Sequence, residues 1–113
     1  MTEIIYYPVC HKDDIPNGER LLLTIDDDHV VILNIDGEYF AIRDVCTHDD
    51  GPLGEGELED HRIVCPRHGA QFDVRTGEVL SLPAVKDVPS YPIRVVEDQI
   101  EIGIEVQKIQ DQP

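Results

Sequence analysis

Two short runs carry the residue types that bind soft and borderline metals: Cys46-Thr47-His48 and Cys65-Pro66-Arg67-His68, with sixteen residues between His48 and Cys65. Thiolate sulfur and imidazole nitrogen ligate zinc and also iron in sulfur-bridged clusters, so the chemistry on offer is metal binding, structural with zinc and redox-active with iron. Two such pairs on separate loops converge when the chain between them folds into a hairpin, and residues 57–60 followed by 61–65 can supply one. Gly51, Gly54 and Gly69 let the backbone turn tightly and come close to a bulky inorganic centre. The third cysteine, Cys10, is expected to be a half-buried thiol at a strand end, and His11, His29 and His61 to be surface imidazoles beside acidic residues.

The elements that must position these ligands read as strands. Apolar residues recur at period two or in short buried runs, and no segment keeps helical spacing for three turns. Strands are expected over 4–9, 19–25, 29–35 and 38–43. A polar turn at 12–18, the triplet Asp26-Asp27-Asp28 and the hairpin signal Asp36-Gly37 separate them. From 44 to about 83 the glycines, prolines, histidines and two of the three cysteines concentrate, with short strands at 61–65 and around Phe72 and Val79. A last hairpin, 91–96 and 99–104, turns at Glu97-Asp98, and the polar tail from Lys108 is expected to fray. The chain of 113 residues reads as one all-β domain: a base of about 1–43 and 84–106, an antiparallel β-sandwich, carries an inserted loop-rich unit of about 44–83 that holds the metal ligands.

Composition excludes several function classes. Nine Lys and Arg against 24 Asp and Glu give a formal charge of -15, the wrong sign for phosphate, so nucleic acid and anionic lipid are excluded as general partners. No run approaches the roughly 20 apolar residues of a membrane-spanning helix. Three cysteines do not make a disulfide framework, and the N-terminus lacks a basic-then-apolar export signal, so a cytoplasmic location is expected. There is no nucleotide-binding glycine fingerprint.

The motif resembles the Rieske family, whose signature is Cys-x-His followed, about fifteen to seventeen residues later, by Cys-x-x-His. The likeness runs through Cys46-Thr47-His48 and Cys65-Pro66-Arg67-His68-Gly69-Ala70-Gln71-Phe72-Asp73 to Thr76-Gly77, and the flanking strand pattern is similar to the family's whole domain. It implies a Rieske-like fold and one 2Fe-2S cluster, with Cys46 and Cys65 on one iron and His48 and His68 on the other. Leu82-Pro83-Ala84 resembles the proline-containing third loop of the family. Structural zinc is the competing reading of the same four residues, though it more often takes Cys-x-x-Cys or His-x-x-x-His spacing. Two ferric ions, two sulfides and two thiolates sum to zero charge, where four thiolates would give -2, so an electron is accepted more readily.

High-potential members are similar but carry a further cysteine in each loop and a Ser and a Tyr that bond the sulfurs. Here Gly51 or a near neighbour, Arg67, Ala70 and Phe72 stand at those places. The low end of the Rieske range, about -150 mV, is therefore expected. The resemblance implies a one-electron carrier, a ferredoxin that links a ferredoxin reductase to a terminal oxygenase and is no enzyme by itself. The alternatives it leaves are the small subunit of an assimilatory nitrite reductase and a redox regulatory module. Pro52, Leu53 and Pro83 are expected to stiffen the loops and keep water from the sulfurs, or else to form the apolar contact patch at the ligand tip.

Overall fold

Val, Ile and Tyr alternating with polar residues build antiparallel strands, and the computed structural model describes residues 2–47 and 51–107. The first sheet has the order β1–β10–β9, with β1 at Thr2–His11, β9 at Ile93–Val96 and β10 at Gln99–Gln107. The second has the order β2–β3–β4–β8, from Arg20–Ile25, Asp28–Ile35, Glu38–Arg43 and Ser90–Tyr91. A third, smaller sheet joins β5 (Glu57–Glu59), β6 (Arg62–Val64) and β7 (Gln71–Asp73). One 3-10 turn, Lys12–Asp14, follows β1, and no described helix is long and apolar enough to cross a membrane.

The turns form where the sequence signals them. Asp36 (φ 54°) and Gly37 (φ 89°) both take positive φ between β3 and β4, as a two-residue hairpin turn demands, and Glu97 and Asp98 do the same between β9 and β10. Other boundaries differ from expectation. β1 runs longer at both ends and carries a bulge between Pro8 and Cys10, Asp28 pairs with Ile25 as part of β3, and His61 sits in the β5–β6 turn. The expected strand 91–96 divides at Pro92, which has no N–H to give a ladder. Tyr91 pairs with Ala41 in the second sheet, while Ile93 pairs with Ile102 in the first. One chain thus passes between sheets at that proline, and Arg43 braces the crossing through Tyr91 Oη (3.3 Å) and Asp28 Oδ2 (3.0 Å).

β3 is the wall shared by two cores. Its alternate residues Val30 and Ile32 point with Ala41 toward Ile100 and Ile102 of the first sheet. Val31, Leu33 and Ile35 point the other way, into a core completed by Leu53, Ile63, Phe72, Val74 and Val88. Burial of large side chains at 0% exposure on both faces explains the unbroken apolar run 30–33, which period two alone would not produce.

The end of β7 is fixed by charge. Asp73 accepts two hydrogen bonds from the Arg75 guanidinium (3.0 and 2.8 Å) and one from its backbone N–H (2.9 Å). The Arg75 side-chain bond holds the Asp73 carboxyl below its ordinary value of 3.8. A carboxylate so depressed contributes stability above that ordinary value, and the contribution is lost as pH falls through the folded one. Asp73→Asn is therefore expected to lower the thermal midpoint at pH 7. The gap to the unsubstituted protein should narrow progressively as the pH is taken below 3.8, as followed by circular dichroism across a pH series.

Candidate metal centre

Both motif cysteines sit directly beyond strands of the shared architecture. After β4, the Asp44 N–H donates to His29 O (2.8 Å), and Cys46 follows two residues on. Cys65 leaves β6 directly. The two loops close in the same way, each cysteine N–H donating to the carbonyl five residues later: Cys46 to Gly51 and Cys65 to Ala70, both at 2.7 Å. In the second loop Gly69 adds a bond to Cys65 O (3.0 Å) from a backbone with φ 77°, a conformation that a β-carbon would strain.

Cys46 and Cys65 are 0% and 1% exposed and belong to the one core that also holds Leu53, Ala70, Phe72 and Ala84. Neither is in a disulfide. His68 is exposed, three residues beyond Cys65. The structure thus brings together two of the four expected ligands and sets a third at the surface of the same loop. His48 lies outside the described residues, as does the tail from Lys108. Among the described residues no three His, Cys, Asp or Glu gather about a single point. Two soft donors kept from water, with an imidazole at the surface, suit a sulfur-bridged pair of irons.

A third loop closes over the first two. The Thr47 hydroxyl donates to Lys86 O (2.6 Å), tying it to the first loop. Leu80 N–H donates to Gln71 O (2.7 Å) and Gln71 N–H to the Ser81 hydroxyl (3.1 Å), tying it to the second. Its Leu82–Pro83 peptide is cis. Ala84 is buried with the cysteines, while Leu82 and Val85 on either side of it are 75% and 74% exposed.

Of the two expectations for Leu53, its burial fits the shield against water and corrects the contact patch. Leu53 is fully buried, because its N–H is held by Asp44 Oδ1 and its side chain fills the core beside the cysteines, so it is no contact residue. The exposed apolar side chains are instead Leu82 and Val85 of the third loop. The available signal was an apolar run, 82–85, with no strand partner on either side.

The other singled-out residues lie elsewhere. Cys10 is half-buried near the end of β1, and burial, with the Asp14 carboxylate adding to it, pushes its thiol up, away from the thiolate that a metal needs. His11 caps the 3-10 turn beside Asp13 and Asp14, and His29 is exposed and bonded to the Thr24 hydroxyl (3.2 Å). His61 departs from expectation: it is partly buried, its ring edge-on to Phe40 at 5.7 Å. A groove of about 300 Å³ between the two larger sheets is lined by Ile4, Arg43, Tyr91 and Glu105, with none of the motif residues among its walls.

Comparison with known proteins gives a family match, described as Rieske [2Fe-2S] domain, over residues 5–92. The chain is 44% identical over 87 residues to the biphenyl dioxygenase ferredoxin subunit of Pseudomonas sp. strain KKS102, covering 76% of this chain and 80% of the relative. Among solved structures, the ferredoxin of carbazole 1,9a-dioxygenase from Nocardioides aromaticivorans IC177 superposes with a TM-score of 0.81 at 29% identity, over 86% of this chain and 95% of that one. A Mycobacterium tuberculosis chain assigned as the small subunit of an NADH-dependent nitrite reductase shares the fold, with a TM-score of 0.79 at 24% identity, over 90% and 96% of the two chains.

Proposed function

We propose that this chain, which belongs to the Rieske [2Fe-2S] domain family, takes single electrons from a ferredoxin reductase and delivers them to a terminal oxygenase. The relatives named as ferredoxins of dioxygenase systems support this reading over the nitrite reductase subunit, whose likeness is one of fold. The observation that carries it is the pairing of two buried, unbridged cysteines with an exposed histidine on one of the same loops.

The family's cofactor is one Rieske-type 2Fe-2S cluster, which when bound supplies a single reversible electron acceptor. In this reading Cys46 and Cys65 hold one iron, His48 and His68 hold the other, and residues of about 44–83 form the ligand-bearing unit on a base of about 1–43 and 84–106. The core around Cys46 and Cys65 excludes water from the sulfur ligands, and the three interlocked loops limit their movement when charge changes. The exposed ring of His68 offers the edge at which a partner comes close. Leu82 and Val85, exposed on the third loop, form an apolar contact for that partner. The acidic surface favours a basic partner face and rules against nucleic acid and anionic membrane. A cytoplasmic location belongs to the same reading.

Two predictions follow from the site. Ala70 and Phe72 are fully buried against the cysteines, so Ala70→Ser and Phe72→Tyr introduce hydroxyls where water cannot compete for them. A hydrogen bond stronger by about 1 kcal/mol in the reduced state raises a one-electron midpoint by about 40 mV, and each variant is expected to move upward by that amount in a redox titration. The carrier role is tested by stopped-flow reduction and reoxidation with a Rieske-ferredoxin reductase and its dioxygenase. Fast transfer in both steps is expected. Leu82→Glu should slow delivery by about tenfold with an unchanged midpoint, a loss of about 1.4 kcal/mol in the encounter. Failure of the unsubstituted protein to exchange electrons with either enzyme would overturn the proposal.

A further inference from the structure

The segment that follows the first ligand loop is gripped from both sides by opposite charges. Asp44 stands two residues before Cys46, and its Oδ1 accepts the N–H groups of Leu53 (2.7 Å) and Gly54. Arg20 opens β2 in the base, where it pairs with Leu33 of the shared wall. Its Nη1 crosses to the ligand unit and donates to Gly54 O (2.6 Å) and Gly56 O (2.7 Å). Gly54 is therefore held through its N–H by an anion and through its carbonyl by a cation.

The fit leaves no slack. A β-carbon on Gly54 would press on Asp44 Oδ1 at 3.0 Å and on Val31 at 3.2 Å, and one on Gly56 would overlap the carbonyl of Val64, the residue before Cys65. No carboxylate of a described residue pairs with Arg20; its bonds go to these two carbonyls. In a chain with 24 acidic residues and nine basic ones, a cation spent on backbone oxygens thirty-four and thirty-six positions away marks a structural task. Hydrogen bonds to ionised groups are about twice as strong as neutral ones, and this task is the one that strands perform elsewhere in the fold.

We propose that Arg20 and Asp44 are positioning residues for the cofactor, a two-sided clamp on Gly54 that fixes residues 51–56 and through them the loop bearing Cys46 and His48. The proposal rests on the ligand assignment made above. Without the clamp, the chain leaving the Cys46–Gly51 closure loses the two charged groups that hold Gly54, and the ligands drift over a wider range of positions. The cluster then leaves sooner, and its surroundings become less uniform.

The test uses the full chain with its cluster. Arg20→Met, Arg20→Lys and Asp44→Asn are compared with Arg94→Met, which removes the same charge from β9, where Arg94 pairs with Glu101. The readouts are the half-life of visible absorbance under excess chelator and the width of the EPR lines of the reduced protein. Arg20→Met is expected to lose its cluster about tenfold faster, the rate equivalent of one charge-assisted bond, with broadened lines. Arg20→Lys, which keeps a charged donor, should be partly rescued, and Arg94→Met should match the unsubstituted protein. If Arg20→Met does not fold, Asp44→Asn carries the test with a severalfold faster loss. Cluster loss within twofold of the unsubstituted protein, with unchanged line widths, in the folded clamp variants would overturn the clamp. An unsubstituted protein that binds no such cluster would overturn the ligand assignment instead.

Discussion

A single strand, β3, packs both of its faces, and the ligand loops depend on that double burial. Val30 and Ile32 lock the base, while Val31, Leu33 and Ile35 on the opposite face form the floor on which Cys46, Cys65, Phe72 and Ala84 rest. Each buried aliphatic side chain contributes about 1.5–3 kcal/mol relative to exposure, so the wall is a favourable place to attach a loop-rich unit whose described strands are three residues long. The loops themselves are held by individual bonds: Thr47 to Lys86, Gln71 to Ser81, Asp44 and Arg20 to Gly54. Rigidity there is a requirement of electron transfer, because any ligand displacement that accompanies a change of charge adds to the barrier.

The features legible in the sequence were those with a local cause. Asp36-Gly37 forms its hairpin because those two residues tolerate positive φ, and the ligand motif is recognisable because its chemistry fixes residue types at fixed separations. The features that escaped depend on what the chain meets in space. Residues 91–96 alternate like one strand, yet Pro92 sends the two halves to different sheets. Leu53 lies among prolines and glycines and reads either as a shield for the sulfurs or as a contact residue, and only its N–H bond to the Asp44 carboxylate and its place in the core decide between them. Nothing near Arg20 signals that its guanidinium reaches a loop more than thirty residues later.

The ligand site divides in the same way. Cys46 and Cys65 are buried in one core and His68 lies outside it; under the proposed ligand set this separates sulfur donors kept from water from an imidazole open to a partner. That division is invisible in a pattern that treats all four ligands alike. It also explains why the buried Phe72 accompanies the motif: it packs in the same core as the cysteines, while Leu82 and Val85 stand exposed on the third loop.

The account stands or falls on whether these four side chains hold bridged irons. EPR of the dithionite-reduced, purified protein, with iron, sulfide and zinc assayed on the same sample, decides it. The expected result is two irons and two sulfides per chain and a rhombic signal whose average g lies below the free-electron value, from a sample that is red-brown before reduction. A colourless, EPR-silent protein carrying one zinc per chain would contradict it.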